Sequence, residues 1–278
     1  MLLTELPDDI MELLFQYVYI SDLLRLEATC RRLASVSFLY WRTVTRLRLV
    51  PFLQERGRFD VTNAFRFDGT ASGLIKKVGV YLRSVDISKL GPLEYGLRLG
   101  LEDALLEHCS RLTDLQLNLR LLDKCWLVKF AAATGPTLRH LSLSNVYLRG
   151  CGGLDDETLR EVLKQWKNLQ SLRIRDNCLL KLSCHASLPR SLQLLDLQGC
   201  SRMYAGYLAS ICKRCQFLTS LSVSYAADFA ALPVSVMSTV RELKINSNSC
   251  MLVMDSRFGQ ALGKSAICFL LELEVREG

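Results

Sequence analysis

The sequence lacks the signals of several large protein classes. No uninterrupted apolar stretch approaches the roughly 18 residues of a membrane-spanning helix. The N-terminus, MLLTELPDDI, places carboxylates where a secretory signal would carry positive charge ahead of a long apolar run. The chain is therefore expected to work in the cytoplasm or nucleus, with its 11 cysteines, an odd number, as reduced thiols. Cys212-x-x-Cys215 has no second pair to complete a four-ligand zinc site, so both are expected to be core residues. Gly150-Cys151-Gly152-Gly153 lacks the Lys-Ser/Thr ending of a phosphate-binding loop and reads as a turn. No cysteine falls with His and Asp in a recognised protease or transferase pattern, which argues against an enzyme. Dense cationic runs are missing too. The net charge of +7, from 35 Lys+Arg against 28 Asp+Glu, falls short of a nucleic-acid binder. No cofactor or metal is implied.

What is present is apolar and patterned. Of 278 residues, 50% are hydrophobic, enough for a large core. Residues 1–45 read as a helical unit. Leu6-Pro7-Asp8-Asp9 opens it, with Pro7 where a first-turn proline is tolerated and acids where a helix N-terminus favours them. Ile10, Leu13, Leu14 and Tyr17 come next at helical spacing. Ser21 or Asp22 reads as the cap of a second helix carrying Leu23, Leu24, Leu26 and Ala28. A third runs through Cys30, Leu33, Val36 and Phe38 to Trp41. So short a unit cannot bury this many apolar groups alone, which points to a partner or to the following domain.

From about residue 46 the grammar becomes a repeat of the form Leu-x-x-Leu-x-Leu. Its copies include Leu82/Val85/Ile87, Leu112/Leu115/Leu117, Leu138/Leu141/Leu143 and Leu169/Leu172/Ile174. They continue with Leu192/Leu195/Leu197, Leu218/Leu221/Val223, Val240/Leu243/Ile245 and Leu270/Leu273/Val275. Val44/Leu47/Leu49 is a plausible first copy. The middle residue recurs at intervals of 22 to 31, the range of leucine-rich repeats with small insertions. Asn177, Cys200 and Asn248 fall just after the final apolar position, and Cys109 and Cys215 share a register before the first. Helical stretches such as 154–163 alternate with the strands. Before Leu192 the repeat is broken by Pro189, and a turn is expected there. Residues 51–77 show little strand pattern and read as an irregular first repeat with a long loop. The chain stops one strand after its last helix with no obvious cap, as a bare terminal repeat or a truncated form would.

Side chains alternate along a strand, so the residues flanking each inward pair should share one polar face. Asp114, Gln116, His140, Arg173, Arg175, Asp196 and Lys244 are the candidate contacts, with Arg173 and Arg175 forming a basic patch suited to carboxylate or phosphate.

The run Leu6-Pro7-x-Asp9-Ile10, Leu13-Leu14, Asp22-Leu23-Leu24, Thr29-Cys30-Arg31 and Trp41 resembles an F-box. The repeats resemble the cysteine-containing leucine-rich type, and the order is that of the F-box/leucine-rich-repeat family. This resemblance implies an α/β chain. A short helical F-box over 1–45 would precede a curved leucine-rich-repeat solenoid over 46–278, of eight to nine repeats, with parallel strands on the concave face and helices on the convex one. It implies a non-catalytic substrate receptor of a Skp–cullin–F-box ubiquitin ligase. Leu6, Pro7, Ile10, Leu14, Leu23, Leu26 and Cys30 would lie on or beneath the face for the Skp adaptor, and Trp41 would pack the F-box onto the first repeat. The protein substrate would sit on the concave face. The alternatives are a scaffold that uses the same adaptor without promoting degradation, and a repeat-type binder whose N-terminal helices are only a cap.

Overall fold

The computed structural model describes residues 3–50, 64–66, 71–89, 98–118, 124–144, 154–177, 179–200, 202, 206–224, 240–246, 251–255 and 270–272. They fall into two compact units, 1–116 and 117–278. The helical segment read as ending at residue 45 therefore belongs to one unit with the strands that come after it.

The first unit opens with α1 (Asp8–Phe15), α2 (Ile20–Glu27) and α3 (Arg31–Trp41). Pro7 stands just ahead of α1 instead of within its first turn, which Asp8 and Asp9 occupy at the positive end of the helix dipole. The core side of α1 is Met11 and Phe15. The periodic set Ile10, Leu13, Leu14 and Tyr17 faces outward. Tyr19 precedes α2 without a side-chain cap, so Ser21 and Asp22 lie inside the first turn and neither caps the helix. Cys30 caps α3, its sulfur accepting the Leu33 N–H at 3.5 Å. Leu33, Val36, Tyr40 and Trp41 fill the core, whereas Phe38, expected with them, is exposed. Phe15 meets Tyr40 edge-on at 6.3 Å, and Tyr40 lies 5.7 Å from Trp41.

Glu27 ties α2 to α3 and to a fourth helix. Its carboxylate accepts the Ser37 hydroxyl and the Trp41 indole N–H, both from α3, and pairs with the ammonium of Lys77. Lys77 belongs to α4 (Ala71–Val78) and also sits 5.1 Å over the Trp41 ring. Trp41 thus packs the helical segment onto the first repeat, as expected, with Glu27 as the unforeseen centre. Within residues 51–77 the described part holds β2 (Ala64–Arg66) and α4, so this stretch carries regular structure where a long loop was expected. Strands β1 (Arg46–Val50), β3 (Ser84–Asp86) and β4 (Asp114–Asn118) are parallel to it, in the order β2-β1-β3-β4. The register aligns Leu47, Val85 and Leu115, three inward residues of the repeat motif. Helix α5 (Arg98–His108) connects the last two strands.

The second unit contains α6 (Lys124–Thr134), β5 (His140–Ser144), α7 (Asp156–Gln165) and β6 (Ser171–Arg175). Next come a 3-10 helix (Ser183–Ser187), β7 (Leu194–Leu197), α8 (Tyr207–Arg214), β8 (Ser220–Ser224) and β9 (Glu242–Asn246). The short 3-10 helix stands where Pro189 predicted a turn. Strands β5 to β9 are parallel and in register: Leu141, Leu172, Leu195, Leu221 and Leu243 form one row. The first four, with Leu143, Ile174, Leu197 and Val223, are buried, as are Leu159, Val162 and Leu163 of α7. Each such side chain contributes about 2 kcal/mol by leaving water.

Asn177 and Cys200 spend their polar atoms on the backbone between repeats. Asn177 Nδ2 donates to the Leu154 carbonyl at 2.7 Å, and the Cys200 thiol to that of Ile174 at 3.3 Å. Asn248 lies outside the described residues. Cys109 and Cys215 are both buried, and burial pushes their thiols up to about 12 and about 11. Cys212 is pushed up to about 11 for the same reason, and the Cys215 thiol donates to the Pro189 carbonyl. Both members of the Cys-x-x-Cys pair are therefore packing residues with unreactive thiols.

Two acids at the start of α7 hold neighbouring repeats. Asp155 caps the helix through the Thr158 N–H at 2.8 Å and pairs with Lys124 of α6. Asp156 accepts the Leu182 N–H at 2.8 Å and the Ser183 hydroxyl at 3.1 Å, fixing the loop that leads into the 3-10 helix. The hydrogen bond from Lys124, followed by those from Thr158, holds the Asp155 carboxyl down at about 2. A depressed carboxylate stabilises the fold above its unfolded pKa near 3.9, and that contribution disappears as pH falls towards 2. Asp155→Asn keeps a capping oxygen and is expected to flatten the loss of melting temperature between about pH 4 and pH 2. A parallel acid profile in wild type and variant would show that Asp155 plays no part in it.

Gly199 has φ +77° and lies against Asp176, itself left-handed at φ 56°. A Cβ at residue 199 would sit 2.7 Å from both the Asp176 Cα and N, a backbone contact that cannot be relieved by a rotamer change. Gly199→Ala is expected to cost about 3 kcal/mol from strain and overlap combined, read as a lowered denaturant midpoint. A midpoint equal to wild type would show that the β7 turn can relax.

The end of the sheet differs from the expected pattern. Strand β10 (Met251–Asp255) runs antiparallel to β9, and β11 (Leu270–Glu272) antiparallel to β10. The last motif copy, at Leu270, therefore pairs through an intervening strand that the repeat pattern did not anticipate. Residues 273–278 lie outside the described set.

Candidate binding surfaces

The outer side of α1 is the first surface. Leu13 is 50% exposed, Ile10 41% and Leu14 40%, and Tyr17 in the following turn is 78% exposed. On α3, Phe38 and Leu39 are also exposed. Large apolar side chains grouped on a helix whose other side is fully packed mark an interaction face.

Of the residues expected at the adaptor face, Ile10, Leu14 and Pro7 are exposed, and Leu6, Leu26 and Cys30 are half-buried. The Leu6 carbonyl accepts Arg32 Nη2 at 2.8 Å, which fixes the turn into α1 against α3. Leu23 is 0% exposed, and so falls among the expected residues beneath the surface instead of on it. Leu13 shares the exposed side with Ile10 and Leu14, because packing and not sequence selects which of the two apolar stripes on α1 is the core.

The strand face is the second surface, described separately for each unit. In the first unit Asp86 and Gln116 are neighbours across β3 and β4, and Arg48 of β1 lies 3.4 Å from Asp86. Asp114 is half-buried and accepts the Thr113 hydroxyl at 2.7 Å, while Gln116 is exposed. In the second unit the register sets Ser142, Arg173, Asp196, Ser222 and Lys244 side by side. His140 is exposed at the start of β5.

Here the expected basic patch is corrected. Arg175 reaches across to Asp196, with Nε at 2.8 Å and Nη2 at 2.5 Å from one carboxylate oxygen. Asp196 is 4% exposed, so it is a buried counter-ion and not a contact for a ligand. Lys244 is held by Glu242 at 2.7 Å on the same strand. Arg173 alone among these cations is exposed with no polar partner among the described residues. The Asp176 carboxyl, at the end of β6, is pushed up by burial, with Arg175 opposing the shift and Asp196 adding to it.

Residues 3–47 match the family model described as F-box-like. No curated protein matches the chain. Among solved structures, it is similar to the leucine-rich repeat-containing protein LegL7 from Legionella pneumophila. That likeness has 15% identity and a TM-score of 0.39, and covers 64% of this chain and 61% of that one. The helices that expose Ile10, Leu13 and Leu14 thus lie within a segment similar to F-box-like domains, and in this chain they are followed by parallel strands whose Leu-x-x-Leu-x-Leu rows are in register.

Proposed function

We propose that this chain is the substrate-recognition subunit of a Skp–cullin–F-box ubiquitin ligase. The F-box helices dock on a Skp-type adaptor, and the strand face of the repeats holds the protein to be ubiquitylated. The observation that carries this reading is the exposed apolar face of α1 within the segment that matches the F-box-like family. F-box domains generally bind such adaptors. The role asks no chemistry of the chain, which acts as a non-catalytic receptor in the cytoplasm or nucleus. It raises the local concentration of a target near a ubiquitin-conjugating enzyme.

Co-expression of the full chain with a Skp-type adaptor tests the proposal. A stoichiometric complex on size exclusion is expected. Its absence with well-folded protein would leave a repeat-type binder whose first helices are a cap. Cullin-dependent ubiquitylation of a bound target then separates a receptor from a non-degradative scaffold.

A further inference from the structure

The second unit has one strongly basic edge. It is formed where each helix ends and the next strand begins: residues 131–140, 162–171, 187–194, 211–220 and 240–241. These connections contain Arg139, Lys164, Lys167, Arg190, Lys213, Arg214 and Arg241 and no Asp or Glu; the first residue of β9, in register with Ser220, is Glu242, which is paired with Lys244. They are physically adjacent. The strand ladder continues into them, with the Gln170 N–H donating to the Arg139 carbonyl, Gln193 to Gln170, Thr219 to Gln193 and Arg241 to Thr219. The Ser191 hydroxyl also donates to the Lys167 carbonyl at 3.0 Å. Lys164, Lys167, Arg190, Lys213 and Arg241 are exposed and pair with no carboxylate among the described residues. Arg139 and Arg214 are half-buried and each donates to a backbone carbonyl, at Asn168 and Leu188, which leaves their charge uncompensated.

Helix dipoles account for part of this. Lys164, Lys213 and Arg214 sit in last turns, where a cation complements the negative helix end. Arg139, Lys167, Arg190 and Arg241 do not, being in the connections beyond. The opposite edge is mixed, with Lys124 and Lys181 interspersed among Asp155, Asp156, Glu157 and Asp176. In the first unit the corresponding connection carries Glu107 at the end of α5.

We propose that this edge, from Arg139 to Arg241, is a docking surface for an acidic protein segment, distinct from both the adaptor face and the strand face. Four strand spacings cover about 19 Å, the length of roughly six extended residues. Guanidinium and ammonium groups at each step match a run of Asp and Glu side chains. A nucleic acid would want successive aromatic platforms along such a strip, and Phe217 and the His140 imidazole are the exposed rings there among the described residues. The inference stands apart from the ligase reading and does not require it.

The test is fluorescence anisotropy of a labelled Glu-rich peptide, and of a single-stranded oligonucleotide of equal charge, against the full chain. Three proteins are compared: wild type, Lys167→Glu/Arg190→Glu/Lys213→Glu, and Arg173→Glu on the strand face. Peptide binding is expected to weaken at least about tenfold in the edge variant and less than about twofold in Arg173→Glu. No peptide binding by wild type would overturn the proposal, as would equal losses in both variants. Tighter binding of the oligonucleotide would make the edge a nucleic-acid surface instead. If the triple reversal fails to fold, the milder Lys167→Gln/Arg190→Gln gives the same comparison with a smaller expected loss. Adaptor co-purification by the edge variant is expected to equal wild type, so failure here and failure of the ligase reading are told apart.

Discussion

Leu13→Lys/Leu14→Lys is expected to abolish co-purification with a Skp-type adaptor while leaving the melting temperature within a few degrees of wild type. Both side chains are at least 40% exposed, so little packing is lost when they are replaced. Lysine is a good helix former, and a cation near the C-terminal end of α1 suits the dipole. At an interface the same change removes two apolar anchors and leaves ammonium groups facing an apolar partner. The expected loss in affinity is at least about 100-fold. Met11→Lys on the same eight-residue helix is the contrasting variant. Met11 is 0% exposed, and an unpaired buried ammonium there should cost about 4 kcal/mol and prevent stable folding. Adaptor binding by the folded Leu13→Lys/Leu14→Lys protein at wild-type affinity would remove α1 from the docking face.

Glu27→Ala should be the most damaging removal of a single polar side chain in the first unit. It strips the acceptor from the Trp41 indole N–H, which is buried, and leaves Lys77 without its counter-ion. Ser37 keeps its bond to the Ala34 carbonyl at 3.0 Å and loses less. An orphaned indole N–H, a broken partly buried ion pair and lost contact together cost about 3 kcal/mol. That corresponds to roughly 5 °C in melting temperature for a chain of this size. Lys77→Ala should cost about 1 kcal/mol, because Glu27 retains both α3 donors. A shift below about 2 °C for Glu27→Ala would mean that Trp41 is held by packing alone.

Much of the fold was legible from residues. The Leu-x-x-Leu-x-Leu copies landed on β3 to β9 because a two-residue alternation can bury only one side of a strand, and Leu141, Leu172, Leu195 and Leu221 had no other place to go. Asn177 and Cys200 were visible as positions because both stand three residues after the last apolar position of their repeat, where each donates to a backbone carbonyl of the preceding repeat. The F-box resemblance was visible in Leu6-Pro7 and Trp41. Glu27 left a trace that was not used: with Ile20 and Leu23 it lies at i, i+3 and i+7, a carboxylate on the buried stripe of α2. Strand β10 left none, since the five-residue run Met251–Asp255 has no repeat spacing.

The sequence by itself determined the two-part order, the repeat register and the inward Leu pairs, because these arise from local periodicity. Tertiary structure decided which stripe of α1 faces out. Ile10/Leu13/Leu14 and Met11/Phe15 are equally apolar, and only the packing of α3 selects between them. It also decided that Arg175 is neutralised by Asp196 whereas Arg173 has no such partner among the described residues. Charge pairing depends on which side chains lie across neighbouring strands, 21 residues apart in sequence, and no local pattern encodes that distance.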